Sequence, residues 1–452
     1  MNIKKIYAAL LIMALILLIC ISALFIGCSL FDGYSETGQQ AVENGEEGDS
    51  EGYDSGRLRE RDYLAVFLEV GIDENSMHFE HRVAGIYAVS PDGSGRRLIF
   101  TDLNEKYDLG RVYGISPDGS MISCGFFEGG RGAYSSLRVI DIDTGETITA
   151  AEFDYTETAS KELEMEIYGE SVWSNDSKKI AFETVLNPYS ENKSDGGISI
   201  IDIETGDIQD VALKAEENLI GDNTYITPVL FSADDSRLFC ILYNHYPKME
   251  EGDVLGYFSR SEKLLSVDIS SGEAVTILDI GQFKDGEMSF SGFGLFVQQE
   301  KLVFEAVGDF EEDGDIWTCA TDGSDPLRLT SDTSLREQQP SILDMPGSIG
   351  DLVYVGVERY GTISNQFNTG DIFTISIDGS EKNQITDYGI GAAAPAYSPC
   401  GRYIAFMHYE YDSNMEYAET SKIEVYNMET GDIETVVADS GIIDLIGWIP
   451  VN

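Results

Sequence analysis

From about residue 63 to its end this chain repeats one phrase, and nothing else in the sequence restricts the fold as strongly. Half of each unit is a strand, a polar turn and a second strand, as in VYGISPDGSMISCGF (112–126), SVWSNDSKKIAFETV (171–185), VLFSADDSRLFCILY (229–243) and AYSPCGRYIAFMHY (396–409). The other half is a strand, a tight turn and a further strand. LRVIDIDTGETIT (137–149), IWTCATDGSDPLRLT (316–330), IFTISIDGSEKNQIT (372–386) and IEVYNMETGDIETVV (423–437) are examples. Thr-Gly, Asp-Gly and Ser-Gly supply the positive φ of tight hairpin turns, while Pro117 and Pro399 sit in turns where no ladder bond is lost. Alternation such as Leu137, Val139 and Asp141 reads as strand with distinct inner and outer faces, and helical periodicity is absent.

Pairing the halves gives units starting near Gly110, Gly169, Ile226, Met288, Gln338, Ala393 and Ile442, 49 to 62 residues apart. Tyr63–Val70, Ile86–Ser90 and Arg96–Thr101 are then three strands short of a fourth, and Ile442–Trp448 is one strand short of three. Joining them makes one blade from both chain ends and leaves the ring no open edge. The expected fold is all-β: a seven-bladed β-propeller of four-stranded antiparallel blades, closed by the C-terminal strand joining the N-terminal blade. Val297–Glu300 and Asp344–Gly350 replace the usual turn in the fifth and sixth blades, so boundaries soften there.

Ser116-Pro117-Asp118-Gly119, Ile404-Ala405-Phe406 and the phrases ending Arg328-Leu329-Thr330 and Gln384-Ile385-Thr386 resemble the TolB-like propeller repeat. The resemblance covers nearly everything from residue 63 onward, with Asn175 where that repeat carries Pro and Cys400 where it carries Asp. It implies the architecture and says almost nothing of function, because its residues are turn chemistry. The same propeller precedes prolyl-oligopeptidase-type hydrolases, whose α/β domain needs a Gly-x-Ser-x-Gly elbow. The chain runs only ten residues past Ile442 and has no such elbow in 61–452, so that hydrolase chemistry is not expected of it.

The N-terminus reads as a targeting segment. Lys4 and Lys5 precede an apolar run from Ile6 to Ile26, followed by Gly27-Cys28-Ser29. This resembles a bacterial lipoprotein signal, which implies Cys28 as the lipid attachment site. The 21-residue run is also long enough to span a bilayer as a retained helix. Either way residues 1–28 are an anchor and the remainder lies extracytoplasmic at the cell membrane. Residues 29–60, rich in Gly, Ser and Glu, are too poor in apolar side chains to order themselves and form an acidic tether. The propeller occupies 61–452.

The charge balance, 29 Lys+Arg against 80 Asp+Glu for a net −51, repels phosphate backbones, so no nucleic-acid partner is expected. Mutual repulsion also favours a monomer. After Cys28 the cysteines are Cys124, Cys240, Cys319 and Cys400, each in a different blade. The expectation is three buried thiols and one exposed at Cys400, without disulfides.

Chemistry, if any, belongs on the face carrying the second-to-third-strand connections, 71–85, 128–136, 186–197, 244–263, 308–314, 358–370 and 409–421, which vary most in length. All four histidines lie in or beside them, with tyrosines alongside. The ligand-face candidates are His78, His81, His245, Tyr246, Tyr360, His408, Tyr409 and Tyr411. Asp309, Glu311 and Asp313 resemble the start of a calcium loop but lack its closing glutamate, since Ala320 stands there. No catalytic residues, metal site or cofactor are assigned. The expected role is a membrane-anchored, non-enzymatic binding or scaffold module for a cell-envelope protein, peptide or glycan. A metal-assisted polysaccharide lyase or hydrolase on the same face, and an accessory subunit of an envelope complex, are the alternatives.

Overall fold

The computed structural model describes residues 62–72, 82–101, 107–128, 134–152, 171–184, 197–214, 224–250, 253–280, 288–296, 300–308, 314–332, 334–343, 350–358, 369–411, 418–439 and 442–451. Blade 1 takes β1 (Tyr63–Ile72), β2 (Arg82–Val89) and β3 (Arg97–Thr101) from the start of the ring. Blade 2 is β4 (Tyr107–Ile115), β5 (Met121–Glu128), β6 (Tyr134–Asp141) and β7 (Thr147–Glu152). Blade 3 is β8 (Ser171–Trp173), β9 (Lys179–Thr184), β10 (Gly197–Asp202) and β11 (Ile208–Val211). Blade 4 is β12 (Thr224–Phe231), β13 (Arg237–Glu250), β14 (Asp253–Asp268) and β15 (Ala274–Asp279). Blade 5 is β16 (Met288–Phe296), β17 (Lys301–Gly308), β18 (Gly314–Ala320) and β19 (Leu327–Arg328). Blade 6 is β20 (Leu335–Leu343), β21 (Asp351–Glu358), β22 (Asp371–Ser376) and β23 (Asn383–Gln384). Blade 7 is β24 (Ala392–Tyr397), β25 (Tyr403–Tyr411), β26 (Ala418–Asn427) and β27 (Ile433–Asp439). The last strand, β28 (Ile442–Pro450), pairs antiparallel with β1 as the fourth strand of blade 1. Seven four-stranded sheets result, and their innermost strands meet in order around the ring.

Apolar burial follows the seams. Seven separate buried clusters form, one between each pair of neighbouring blades. Each middle strand therefore buries both of its faces. In blade 7, Ile404 and Phe406 pack toward blade 6, while Ala405 and Met407 pack toward blade 1. This corrects the reading of alternation as one inner and one outer face: Leu137 and Val139 face blade 3, but Ile140 is equally buried on the side of blade 1. A strand covered on both sides reads as a continuous apolar run, which is what Leu302–Phe304 and Leu352–Val355 show.

Ring closure is held by specific contacts as well as by the β1–β28 ladder. The Trp448 indole donates to the Ala396 carbonyl of blade 7 at 3.0 Å, and the Val451 amide to the Asp62 carbonyl at 2.9 Å. Pro450 lies against the turn of blade 2, where a Cβ on Gly119 (φ +75) would sit 2.3 Å from its Cδ. Only glycine suits that position, on conformation and on space together.

The recurrent Ser-x-Asp turns share one network. Ser116 donates to Asp118 at 2.6 Å and accepts the Met121 amide at 2.9 Å, and Ser174 with Asp176 and Ser232 with Asp234 do the same. The fourth turn position is glycine in blades 2 and 7 but Ser177 (φ 60) and Asp235 (φ 55) in blades 3 and 4. Those two side chains reach back to the preceding blade. Ser177 accepts the Asp118 amide, and Asp235 accepts the Asn175 amide and side chain and the Asp176 amide. A left-handed backbone unusual for these residues thereby gains hydrogen bonds across the seam.

Cys124, Cys240, Cys319 and Cys400 are all free and buried. The expected exposed thiol at Cys400 is corrected: it fills the aspartate position of its turn, 3.4 Å from the Ser398 hydroxyl and 3.5 Å from Arg402 Nε, at 3% exposure. Among the described residues no helix is long and apolar enough to cross a membrane.

Candidate functional site

The two faces of the ring differ in how fully their polar groups are used. On the face of the first-to-second and third-to-fourth turns, the acidic residues serve the turns themselves. Asp141, Asp202 and Asp268 accept the amides of Thr144, Thr205 and Ser271, and these bonds hold each carboxyl below its usual range, Asp268 at about 2. Asp92, Asp234, Asp322 and Asp378 are held low in the same way by serines of their own turns.

The opposite face is built differently. Two of the connections expected to be irregular are instead strands running on beyond the blade. In blade 4, β13 and β14 continue as a ribbon whose register runs from Asn244 opposite Arg260 out to Glu250 opposite Asp253. In blade 7, β25 and β26 stay paired as far as Tyr411 opposite Ala418. The expectation of loops is corrected for His245–Glu250 with Asp253–Arg260 and for Tyr409–Tyr411 with Ala418–Thr420, which are paired strand.

The best-defined polar cluster of this face lies at the seam of blades 6 and 7. The crossover leaving β23 is fixed by Asp371, which accepts the Thr386 hydroxyl at 2.8 Å, the Tyr388 amide at 2.6 Å and the Gly389 amide at 3.1 Å. That places the Tyr388 ring flat on His408, centroids 4.2 Å apart and planes 8° from parallel. Both reach one buried carboxylate. The Tyr388 hydroxyl donates to Glu424 Oε2 at 2.7 Å, and His408 Nδ1 stands 3.1 Å from the same oxygen. The Thr435 hydroxyl takes the other oxygen at 3.2 Å. Burial alone would raise the Glu424 carboxyl, but the His408 ring beside it and the hydrogen bond from Tyr388 outweigh it and hold the group below its usual range. The Tyr388 phenol moves up, by burial first and then by its bond to that carboxylate.

Gly391 makes room for this arrangement: at φ +120, a Cβ there would lie 2.6 Å from the Tyr409 carbonyl and 3.1 Å from His408 Cδ2. Next to it, the Tyr411 and Thr369 hydroxyls are 3.1 Å apart, and Glu410 is bridged by Lys422 and Thr420. A second polar feature lies at the seam of blades 1 and 2, where burial pushes the Asp444 carboxyl up to about 7 against the pull of Arg111.

Of the candidates read from the sequence, His408, Tyr409 and Tyr411 lie together on β25. They do not act alike. His408 faces blade 6 and the Glu424 cluster, whereas half-buried Tyr409 packs into the core shared with blade 1. His245 and Tyr246 pair with Ser259 and Phe258 on the blade 4 ribbon. These two belong to blade 4, and His408, Tyr409 and Tyr411 to blade 7. Cys28, His78, His81, Tyr360, Asp309, Glu311 and Asp313 lie outside the described residues. Among the described residues no group of three or more His, Cys, Asp or Glu side chains is placed to hold a metal ion.

Sequence reasoning missed Tyr388 and Glu424. Tyr388 belongs to a crossover and carries no periodic signal. Glu424 did carry one: the equivalent third-strand positions in blades 5 and 6 are Trp317 and Phe373, so a carboxylate in that column, 6% exposed, needed a buried partner.

No protein-family model matches the chain, and no curated protein matches its sequence. Among solved structures, the propeller resembles a chain from a study of two prolyl endopeptidases, with TM-score 0.55 and 13% identity over 85% of this chain and 51% of that one. This chain therefore spans about half the length of that peptidase. It also resembles an oligogalacturonate lyase in complex with manganese, with TM-score 0.47 and 14% identity, covering 84% of this chain and 86% of that one. A putative TolB from Agrobacterium tumefaciens gives TM-score 0.39 and 16% identity, covering 69% of this chain and 92% of that one. At such identities the likeness is one of fold.

Proposed function

We propose that this propeller is an extracytoplasmic, membrane-anchored binding or scaffold module that takes a cell-envelope protein, peptide or glycan on the face carrying the second-to-third-strand connections, without catalysing a reaction. One observation carries the reading: among the described residues, elaboration lies on that face. The described turns of the opposite face are short, and their aspartates serve the turns themselves. The elaborated face bears the blade 4 ribbon, the extended hairpin of blade 7 and the Tyr388–His408–Glu424 cluster. A rigid scaffold with one variable face is the usual arrangement for recognition. The lipoprotein-like signal and acidic tether support display away from a membrane surface, and net −51 supports a partner that is not itself strongly anionic.

The test is retention. Full-length chain in detergent, immobilised through its C-terminus, is probed with cell-envelope extract beside variants cut back in the blade 4 ribbon or carrying His408→Ala with Tyr411→Phe. A partner held by the wild type and lost by a face variant supports the reading. Equal retention by all of them, or by none, contradicts it.

A further inference from the structure

In most of the ring a blade's strands end where their neighbours end. Blade 4 breaks this rule. The pairing of β12 with β13 stops at Thr224 opposite Asn244, and that of β14 with β15 stops at Lys263 opposite Asp279. The ribbon of His245–Glu250 and Asp253–Arg260 extends beyond both, and among the described residues each of its strands pairs only with the other. Six residues of β13 at strand rise make an arm about 20 Å long. A two-stranded ribbon is at best marginally stable in water, and three strands are the smallest sheet that holds itself together.

The two edges of the arm are not equivalent. Adding a strand requires amide donors along the edge that receives it. On β13, Pro247 has no amide hydrogen, the usual means by which an edge is closed to further pairing. On β14, Asp253–Arg260 contains no proline. This edge, uncovered among the described residues, is also the one that continues the line of β15, so an added strand there would lie as a prolongation of the blade's own fourth strand.

Charge chooses among possible occupants. The chain carries −51, while the arm itself is close to neutral, with Glu250, Glu251 and Asp253 against Lys248 and Arg260. A second copy would bring the same negative field against itself, whereas a cationic segment is drawn in. We propose that the blade 4 arm takes an extended, positively charged peptide segment as an added strand along the edge of β14 that no described strand covers. This rests on the loop-face reading above and names its ligand class: main-chain pairing gives affinity, and the chain's net negative charge favours Lys- or Arg-rich sequence.

Three synthetic ten-residue probes separate the contributions. One alternates Lys with Thr, one alternates Glu with Thr, and one is the Lys/Thr peptide with every second amide N-methylated, which keeps charge and removes donors. Binding to full-length chain in detergent is followed by fluorescence anisotropy. The Lys/Thr probe binds, the Glu/Thr probe does not, and N-methylation weakens binding about tenfold or more, the scale of one to two lost hydrogen bonds. Replacing 245–259 by Asn-Gly abolishes binding. Should that variant fail to fold, the shorter replacement of 248–256 serves and costs about fivefold, within the worth of one hydrogen bond.

Equal binding of the N-methylated probe, or unchanged binding by the shortened arm, overturns the proposal. So does concentration-dependent dimerisation of the wild type that the shortened arm lacks, since the occupant is then a second copy. If every peptide fails while His408→Ala still costs retention of an envelope partner, the arm inference falls and the loop-face reading stands.

Discussion

Glu337→Gln should stabilise this propeller at alkaline pH and leave it nearly unchanged at acid pH. Glu337 lies on β20 in the seam between blades 5 and 6 and is fully buried. The groups facing it are Lys382, whose Nζ is 3.6 Å from Oε1, the buried Tyr354 phenol, and Asp315 and Asp332, of which Asp315 is bridged to Arg328 at 2.6 Å. Burial raises the Glu337 carboxyl from 4.5 to about 7, with Lys382 pulling the other way and Asp315 pushing further up. The folded state therefore holds a proton the unfolded state has released. Stability contributed by this group is fully present below pH 4.5 and declines as pH rises through 7. The gap between 4.5 and 7 corresponds to about 3 kcal/mol at 1.36 kcal/mol per pH unit.

Glutamine keeps the shape and cannot ionise, so the variant gains about 3 kcal/mol over wild type at pH 8 and almost nothing at pH 4. With unfolding entropy of about 2.1 cal/mol/K per residue, that is about 4 °C in Tm for a domain of this size. The assay is a pair of melts, wild type against variant, across pH 4 to 8.5. Asp444, raised to about 7 by burial, gives both proteins a similar slope, so the difference between them isolates Glu337. A difference that does not grow with pH, or a variant less stable at pH 8, refutes the reasoning.

Three further expectations follow from named contacts. Asp235→Gly relieves a left-handed backbone but removes the bonds to Asn175 and Asp176, so urea unfolding should show a loss of about 2 kcal/mol, and Asp235→Asn a smaller change. Thr386→Val removes the hydroxyl that accepts the Ile372 amide and donates to Asp371, which should cost about 2 kcal/mol and raise hydrogen exchange at Tyr388 and Gly389. Metabolic labelling with a fatty acid should mark the wild-type chain and not Cys28→Ala if lipid is the anchor; a wild type that takes no label would instead support a retained helix.

The ring was legible because its signals are local and repeated. Turn motifs of the Ser116–Gly119 kind fix where strands begin, and the unpaired strands at the two ends require each other whatever the details between them. The same locality explains what was missed. A middle strand such as Tyr403–Met407 gives no sign that its two faces belong to different seams, because both are apolar. The blade 4 arm reads as a polar loop because Pro247, Gly252 and Gly256 interrupt it. Its strand character comes from cross-strand register, which no single segment displays. The Glu424 cluster joins the crossover into blade 7 with the second and third strands of that blade, and only their packing brings these together. The threonine of the Arg-x-Leu-Thr phrase could be read as repeat signature but not as mechanism. Thr330 and Thr386 each accept the amide of Ile316 or Ile372 and so pin the end of the third strand.

All of this depends on the two ends of the ring meeting in blade 1. Asp62 and Val451, joined by a 2.9 Å main-chain hydrogen bond, provide the most direct test. With Asp62→Cys and Val451→Cys introduced together, air oxidation should form one intramolecular disulfide. It should shift the monomer on a non-reducing gel, reverse with reductant and raise the melting temperature. A doubly substituted chain that stays reduced, or that forms only intermolecular bridges, would show that the ends do not meet and that the seven-bladed ring is not closed.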